Sequence, residues 1–356
     1  MTQKTDKPEN HHHAYPSTGQ FKNVIKDVTK AFRSHKIFDF PPLTFIGTVK
    51  LHGTNASIYS DLSKNNFVVQ SKNNVITVDK DNYGFAQAIT PIKEQFLPLF
   101  EKIKEILGDY ENKTAVIYGE WCGANIQPTV ALAQLDNMFV AFGIKILEGK
   151  EEKWLSYSQF NEVMNINQAV LQEHKVFNIY DFPTWKIDID FNNPQIVQNK
   201  LVDITMEVEK LCPVAKHFGI SGIGEGVVWK NITHHPAIES LHLFFKVKGK
   251  EHSVSHVTSL AMVDTEKVKN IAEFVEKVVT ENRLKQGLEY LKEQHLSLTE
   301  ENIKTFISWV VKDCFKEEKD MITESNLQEK EVAQSIAFKA KDWFLSKNHS
   351  KNKLKM

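Results

Sequence analysis

A change of periodicity part-way along the chain limits its fold more than any other feature. From residue 43 to about residue 252, short β-branched and aromatic runs are separated by helical stretches; beyond Ser255 the apolar residues recur only at helical spacing. Asn66-Phe67-Val68-Val69-Gln70, Thr114-Ala115-Val116-Ile117-Tyr118, Met138-Phe139-Val140-Ala141-Phe142 and Gly226-Val227-Val228-Trp229 predict strands, with helices over 85–107 and 194–211. No regular strand–helix–strand repeat links them, so the expected class is α+β. Phe21, Val24, Ile25, Val28 and Phe32 place one amphipathic helix ahead of this region. Helical stripes then run through Val268, Ile271, Val275 and Val278, through Ile303, Phe306, Val310 and Cys314, and through Val332, Ile336, Ala340 and Phe344. The last follows Ser325-Asn326-Leu327-Gln328, a capping-box pattern. The expected organisation is a disordered tail over 1–18, an α+β domain over 19–255, an all-helical domain over 256–346 and a lysine-rich tail over 347–356.

At 356 residues and 41% hydrophobic content, the chain has enough apolar material for two ordinary cores. A net charge of −1 gives no global sign of a nucleic-acid partner, so any polyanion would have to meet a local basic groove. No apolar run approaches the ~18 residues of a membrane span, and the polar N-terminus lacks the apolar core of a secretory signal. The expectation is an intracellular protein, cytoplasmic by default, monomeric and without a membrane partner. Cys122, Cys212 and Cys314 lie far apart, without zinc-type spacing, and are expected to be reduced thiols. His11-His12-His13 falls in the expected tail and is not read as a metal site.

Chemistry concentrates in a few segments. Phe45-Ile46-Gly47-Thr48-Val49 predicts a strand and Gly53-Thr54-Asn55 the turn in which it ends, which presents Lys50 at a strand end. An amine held there is a candidate nucleophile toward phosphorus. The Lys-x-x-Gly pattern alone is weak, since it recurs at Lys216 and Lys246. Glu120 lies in Tyr118-Gly119-Glu120-Trp121-Cys122-Gly123, between glycines that permit close backbone approach; it is either a ribose acceptor or a surface turn glutamate. Phe139 and Phe142 precede Gly143-Ile144-Lys145 and suit either a base platform or core packing. Glu225 is fenced by Gly222, Gly224 and Gly226 ahead of an apolar strand, where metal-bound water or the lysine amine itself is a sensible partner. Alternation in Phe244-Phe245-Lys246-Val247-Lys248 sends both lysines to one face. They suit an anion such as a triphosphate, or else guard an exposed sheet edge.

In their order these segments resemble the covalent nucleotidyltransferases, and most of all the RNA ligase 2 family of RNA end-joining enzymes. Lys50-Leu51-His52-Gly53-Thr54-Asn55 matches that family's lysine motif, with histidine where DNA ligases and capping enzymes usually carry aspartate. Tyr118-Gly119-Glu120-Trp121-Cys122-Gly123, Phe139-Val140-Ala141-Phe142, Glu225-Gly226-Val227-Val228-Trp229-Lys230 and Phe245-Lys246-Val247-Lys248 match the later motifs. The resemblance covers roughly residues 20 to 255. It implies an adenylyltransferase domain with antiparallel sheets, followed by a small helical domain. The implied activity is that of an ATP-dependent RNA ligase, joining RNA 3′-OH and 5′-phosphate ends through lysyl-AMP and RNA-adenylate. Nicked duplex RNA is the expected partner, and end sealing or repair the expected role.

Residue roles follow from the same resemblance. Lys50 is the implied nucleophile, Glu120 the ribose ligand, Phe142 the adenine platform, and Lys246 and Lys248 the phosphate contacts. Glu225, with Asn55 acting through water, is implied to hold Mg2+ or Mn2+, and Leu51, His52 and Lys72 to complete the nucleotide contacts. Lys72 stands where the family usually has arginine, keeping the charge but losing the bidentate fork. Attack requires a neutral amine. Burial, with Lys246, Lys248 and metal nearby, is expected to lower the Lys50 pKa from about 10.4, with Glu225 acting mainly through metal-bound water. Two alternatives remain. A DNA ligase or capping-type nucleotidyltransferase is disfavoured by His52 and by helices standing where a β-rich domain would follow. A non-catalytic RNA-binding protein is disfavoured because every candidate catalytic group is present.

Overall fold

A computed structural model of the chain describes residues 11–124, 126–249, 268 and 270–353. Within them the alternation read from the sequence becomes eleven strands in two sheets. Leu43–Val49 (β1), Thr184–Ile189 (β9), Gly226–Asn231 (β10) and Phe244–Lys248 (β11) form one antiparallel sheet in the order β11-β10-β1-β9. The other sheet contains Thr54–Asp61 (β2), Val68–Ser71 (β3), Val75–Ile76 (β4), Lys113–Cys122 (β5), Met138–Glu148 (β6) and Glu151–Trp154 (β7). Their order is β4-β3-β2-β5-β6-β7, and Val176–Asn178 (β8) adds in parallel beside β6. The α+β class and the antiparallel sheets are as expected.

The larger sheet divides its side chains by period two. Ala56, Ile58, Ala115, Ile117, Phe139 and Ile144 enter a core with the helical segment that follows β4. Tyr59, Val68, Val116 and Tyr118 form a separate cluster on the opposite face. The candidate site lies on that second face. Residues 11–18, expected in a disordered tail, run along it instead. There the backbone of His13 exchanges two hydrogen bonds, at 3.0 and 2.6 Å, with the amide of buried Gln70. Tyr15 gives this otherwise polar stretch an aromatic anchor.

Local rules account for the other departures. The helix expected over 85–107 comprises Phe85–Ile89, a 3-10 stretch Thr90–Phe96 and Leu97–Leu107. Pro91 and Pro98 cannot donate a backbone hydrogen bond inside a helix, and each sits in the first turn of a new piece. The helix expected over 194–211 begins at Gln198, after a 3-10 turn Pro194–Val197. The turn after β1 ends at Gly53, and Thr54 already belongs to β2. Phe21–Ser34 is helical as expected, with its apolar stripe buried.

By their contacts the residues separate into two bodies. Among the described residues, the first comprises 11–18, 28–192 and 199–249; the second comprises 19–27, 193–198 and those from 268 onward. The boundary expected near Ser255 lies outside the described residues. The second body is helical, with Ile271–Val278, Glu281–Glu293, Ile303–Glu324 and Glu329–Lys353 around a core that includes Phe274, Phe306, Val310, Ile336 and Phe344. Lys26 joins it by pairing with Asp320 at 2.7 Å. Ser325 does not open a capping box. It caps the C-terminus of Ile303–Glu324, and its hydroxyl accepts the Val268 N–H at 2.9 Å. No helix among the described residues is long and apolar enough to cross a membrane.

Glu281–Glu293 carries the one arginine of this core. Arg283 is fully buried, its Nε donating to Asp313 at 2.9 Å and its Nη2 lying 3.6 Å from buried Glu318. Removing a partner from such a pair leaves an uncompensated charge in the core. Arg283→Met is therefore expected to destabilise the second body by about 3 kcal/mol or more, read from denaturant unfolding of the full chain by Trp309 and Trp343 fluorescence. An unchanged midpoint would show that the pair carries no net weight.

Candidate active site

The site begins where β1 ends. The backbone N–H of Lys50 donates to the carbonyl of Gly226 at 2.8 Å, so the turn after β1 is fastened to the start of β10. Only glycine suits that position. Gly226 has φ +152°, and an added Cβ would lie 2.2 Å from the Val247 carbonyl. The close approach places Glu225 beneath the turn. Its Oε2 accepts from Lys50 Nζ at 2.7 Å and pairs with His52 Nδ1 at 3.0 Å, while its Oε1 accepts from Lys248 Nζ at 2.8 Å. Lys246 stands two residues along the same face of β11, opposite Val228.

The larger sheet supplies the facing groups. Glu120 on β5 pairs across the ladder with Asn55 on β2, and its Oε1 accepts the Gly53 N–H at 3.0 Å. Asn55 donates its amide to the Gly119 carbonyl at 3.2 Å. A Cβ on Gly53 would meet the Trp121 carbonyl at 2.2 Å, so the lysine turn and β5 touch through that glycine. The two candidate aromatics separate here. Phe139 is fully buried against Phe85 and belongs to the core. Phe142 is the extra residue of a bulge, between Ala141 opposite Gly119 and Gly143 opposite Tyr118. Its ring joins the Tyr118 cluster on the Glu120 face, a re-aiming that bulges often perform.

The electrostatics follow from burial and proximity. Burial alone would push the Glu225 carboxyl up, but Lys248, Lys50 and His52 hold it well below the usual carboxylate range. Burial also opposes the Lys50 charge, yet the carboxylates of Glu225 and Glu120 outweigh it and raise the ammonium above its ordinary value. The expected lowering of Lys50 is thus not what this arrangement produces. Glu225 hydrogen-bonds the amine directly, whereas Lys248 lies across the carboxylate on its other oxygen. Lys248 itself is lowered by burial and by Lys50 and Lys246, against the pull of Glu225. Glu120 moves the other way, raised to about 7 by burial and by repulsion from Glu225. One buried and one half-buried carboxyl with opposed shifts, beside a strand-end lysine, make a site suited to acid–base or nucleophilic chemistry.

A family model described as RNA ligase matches residues 43–248, more than half of the chain and all of the site from β1 to β11. This chain belongs to the RNA ligase family. Among solved structures, a Naegleria gruberi RNA ligase mutant with ATP and Mn is similar at TM-score 0.43 and 15% identity. A second mutant of the same ligase, with AMP and Mn, is similar at TM-score 0.42 and 15% identity. In both, the match covers 67% of this chain and 56% of the ligase's own chain. No curated protein matches the chain.

Within this RNA ligase family member, Lys50, His52 and Lys248 converge on the Glu225 carboxylate, with Glu120 and Asn55 beside them. Leu51 is buried in the turn. Lys72 is exposed just past the end of β3 and is not among the groups bonded to Glu225. Among the described residues no group of three or more His, Cys, Asp or Glu side chains forms a metal cage. One carboxylate with a nearby amide fits a hard cation that keeps its waters and takes substrate phosphate oxygens.

Sequence reasoning assigned no role to several groups on this face. Lys230 is pushed down to about 8 by burial and lies 5.9 Å from the Trp154 ring centroid. Burial, with Lys230 and Lys145, pushes His242 down to about 3, and its ring stacks on Trp154 at 4.2 Å. Strand alternation was the signal for Lys230; Tyr15 and Gln70 had none beyond their residue type.

The Glu120 shift has a thermodynamic consequence. The folded protein holds a proton that the unfolded chain releases between the ordinary value of 4.5 and about 7. Across that window the native state binds more protons, so this group's contribution to stability falls as pH rises and levels off above it. Glu120→Gln is expected to gain on the wild type between pH 5 and pH 8 in denaturant unfolding. Parallel profiles would place Glu120 at its ordinary pKa.

Proposed function

We propose that this protein is an ATP-dependent RNA ligase, with Lys50 as the group that accepts AMP. The observation that carries the reading is the bracket around Glu225, in which the strand-end lysine shares one buried carboxylate with His52 and Lys248. Lys50 Nζ attacks the α-phosphorus of ATP. The N–P bond forms, the bond to the β-phosphate oxygen breaks, and pyrophosphate leaves. Lys50 must first lose the proton it shares with Glu225 Oε2, 2.7 Å away, and nucleotide loading has to disturb that ion pair before the amine is free. Mg2+ or Mn2+, held by Glu225 and through water by Asn55, would supply positive charge that neutralises the phosphates.

The chain's other groups align and stabilise. Lys246 and Lys248, on one face of β11, meet the charge that develops on the phosphates. Glu120 accepts from the ribose, and Phe142 stacks on the adenine. AMP then passes to an RNA 5′-phosphate, and a 3′-hydroxyl displaces it to close the strand. Nicked duplex RNA is the proposed substrate, and end repair the proposed role of this monomeric enzyme.

Transfer of label from α-labelled ATP to the protein tests the reading. Lys50→Ala is expected to abolish labelling, with a loss of about three orders of magnitude or more, and unlabelled GTP is expected not to compete. Labelling that survived Lys50→Ala would remove the nucleophile, and sealing of nicked DNA in preference to RNA would remove the substrate class.

A further inference from the structure

Residues 11–18 lie on the face that carries the proposed nucleotide site, and they are held there by a specific clamp. Gln70 is almost wholly buried, and both ends of its amide bond the segment. Its Oε1 accepts the His13 N–H at 3.0 Å, and its Nε2 donates to the His13 carbonyl at 2.6 Å and to Ser57 Oγ at 2.7 Å. The Tyr118 hydroxyl donates to the same carbonyl at 3.1 Å, and the His13 ring meets Tyr59 edge-on at 4.8 Å. A segment fixed by this many directional contacts delivers its next aromatic to a defined place.

That aromatic is Tyr15. Its ring lies 5.1 Å from Phe142 at an interplanar angle of 69°, 5.2 Å from Tyr118, 5.7 Å from Trp154 and 6.0 Å from Phe244. Phe244 belongs to β11, the strand of Lys246 and Lys248, whereas Phe142, Tyr118 and Trp154 belong to the larger sheet. Tyr15 therefore ties the base end of the proposed pocket to both sheets. Phe142 is a bulge residue without a ladder partner, so its ring plane is set by side-chain neighbours. An edge-on contact at this angle is the favoured way for one aromatic to fix another. A platform already fixed loses less freedom when a base stacks on it.

We infer that Tyr15, carried by the clamped N-terminal segment, is a positioning residue that holds Phe142 in the plane required to stack a nucleotide base. The inference rests on the reading of Phe142 as the base platform. It predicts an effect on nucleotide affinity rather than on the rate of phosphoryl transfer.

The test is the ATP dependence of self-labelling by the full chain. Tyr15→Ala is expected to raise the KM for ATP about tenfold, with the maximal rate held within about twofold. Tyr15→Phe, which keeps the ring, is expected to recover most of that loss. Gln70→Ala releases the clamp while keeping both aromatic side chains in the chain; it is expected to shift KM the same way, and it serves if Tyr15→Ala does not fold. An unchanged or lowered KM in both Tyr15→Ala and Gln70→Ala would overturn the inference; a lowered value would make the segment a competitor of the base. Phe142→Ala separates the two readings. If it raises KM while Tyr15→Ala does not, only the positioning role fails; if it leaves KM unchanged, the platform itself is wrong and the inference falls with it.

Discussion

Glu225 is a carboxylate almost wholly removed from water, at 2% exposure, and the site is arranged around that fact. A buried charge persists only when its lone pairs are taken by well-placed donors. Here the donors come from two places in the chain: Lys50 and His52 in the turn after β1, and Lys248 on β11. Meeting the demand of one carboxylate therefore brings the lysine turn, the start of β10 and the end of β11 together. The Lys50 N–H bond to Gly226 and the Gly249 N–H bond to Glu225, at 2.8 and 3.1 Å, repeat the same junction in the backbone. Glycine at 226 is what lets the strands approach closely enough for both sets of bonds.

The same economy operates in the larger sheet, where each strand serves two environments. Ala115, Ile117 and Trp121 on β5 fill the core, while Val116, Tyr118 and Glu120 turn toward the site. A register slip of one residue would exchange these sets. The bulge at Phe142 is the controlled exception. It lets Phe139 and Ala141 pack inward and Ile144 resume the inward pattern, while one aromatic is released to the other face.

How much of this was legible depended on whether the signal was local. Lys50, Glu120, Glu225 and Lys248 stood out because glycines and strand alternation mark them in a few residues each, and the structure brings them together. Over 85–107 the apolar spacing is unbroken and predicts one helix, whereas Pro91 and Pro98 divide it into separate pieces. Glu281–Glu293 was missed because its buried residues are few, Leu284 and Leu291 among charged neighbours and a buried Arg283. Residues 11–18 read as a tail because composition there is polar; the partner that orders them, Gln70, lies 57 positions away. No spacing rule reaches that far. The sign of the Lys50 shift was also beyond the sequence, since it depends on whether a carboxylate or another ammonium is nearer the amine, and Glu225 is in direct contact.

That contact bears on how the reaction would start. A lysine held charged by a hydrogen-bonded carboxylate is a poor nucleophile, and Glu225 is itself held far below the range in which it would keep a proton. The pair is stable as ions and has little tendency to exchange its proton unaided. Glu120, raised to about 7, differs: its charge adds to the field that keeps Lys50 protonated, and protonating or neutralising it weakens that field. Under the proposed ligase function, a ribose hydroxyl hydrogen-bonded to Glu120 and a triphosphate that draws Lys248 off Glu225 would act on the two carboxyls in opposite senses. On the ligase reading, activation of Lys50 is therefore tied to nucleotide loading. The ion pair that organises the site is also the interaction that must be rearranged before the amine can attack.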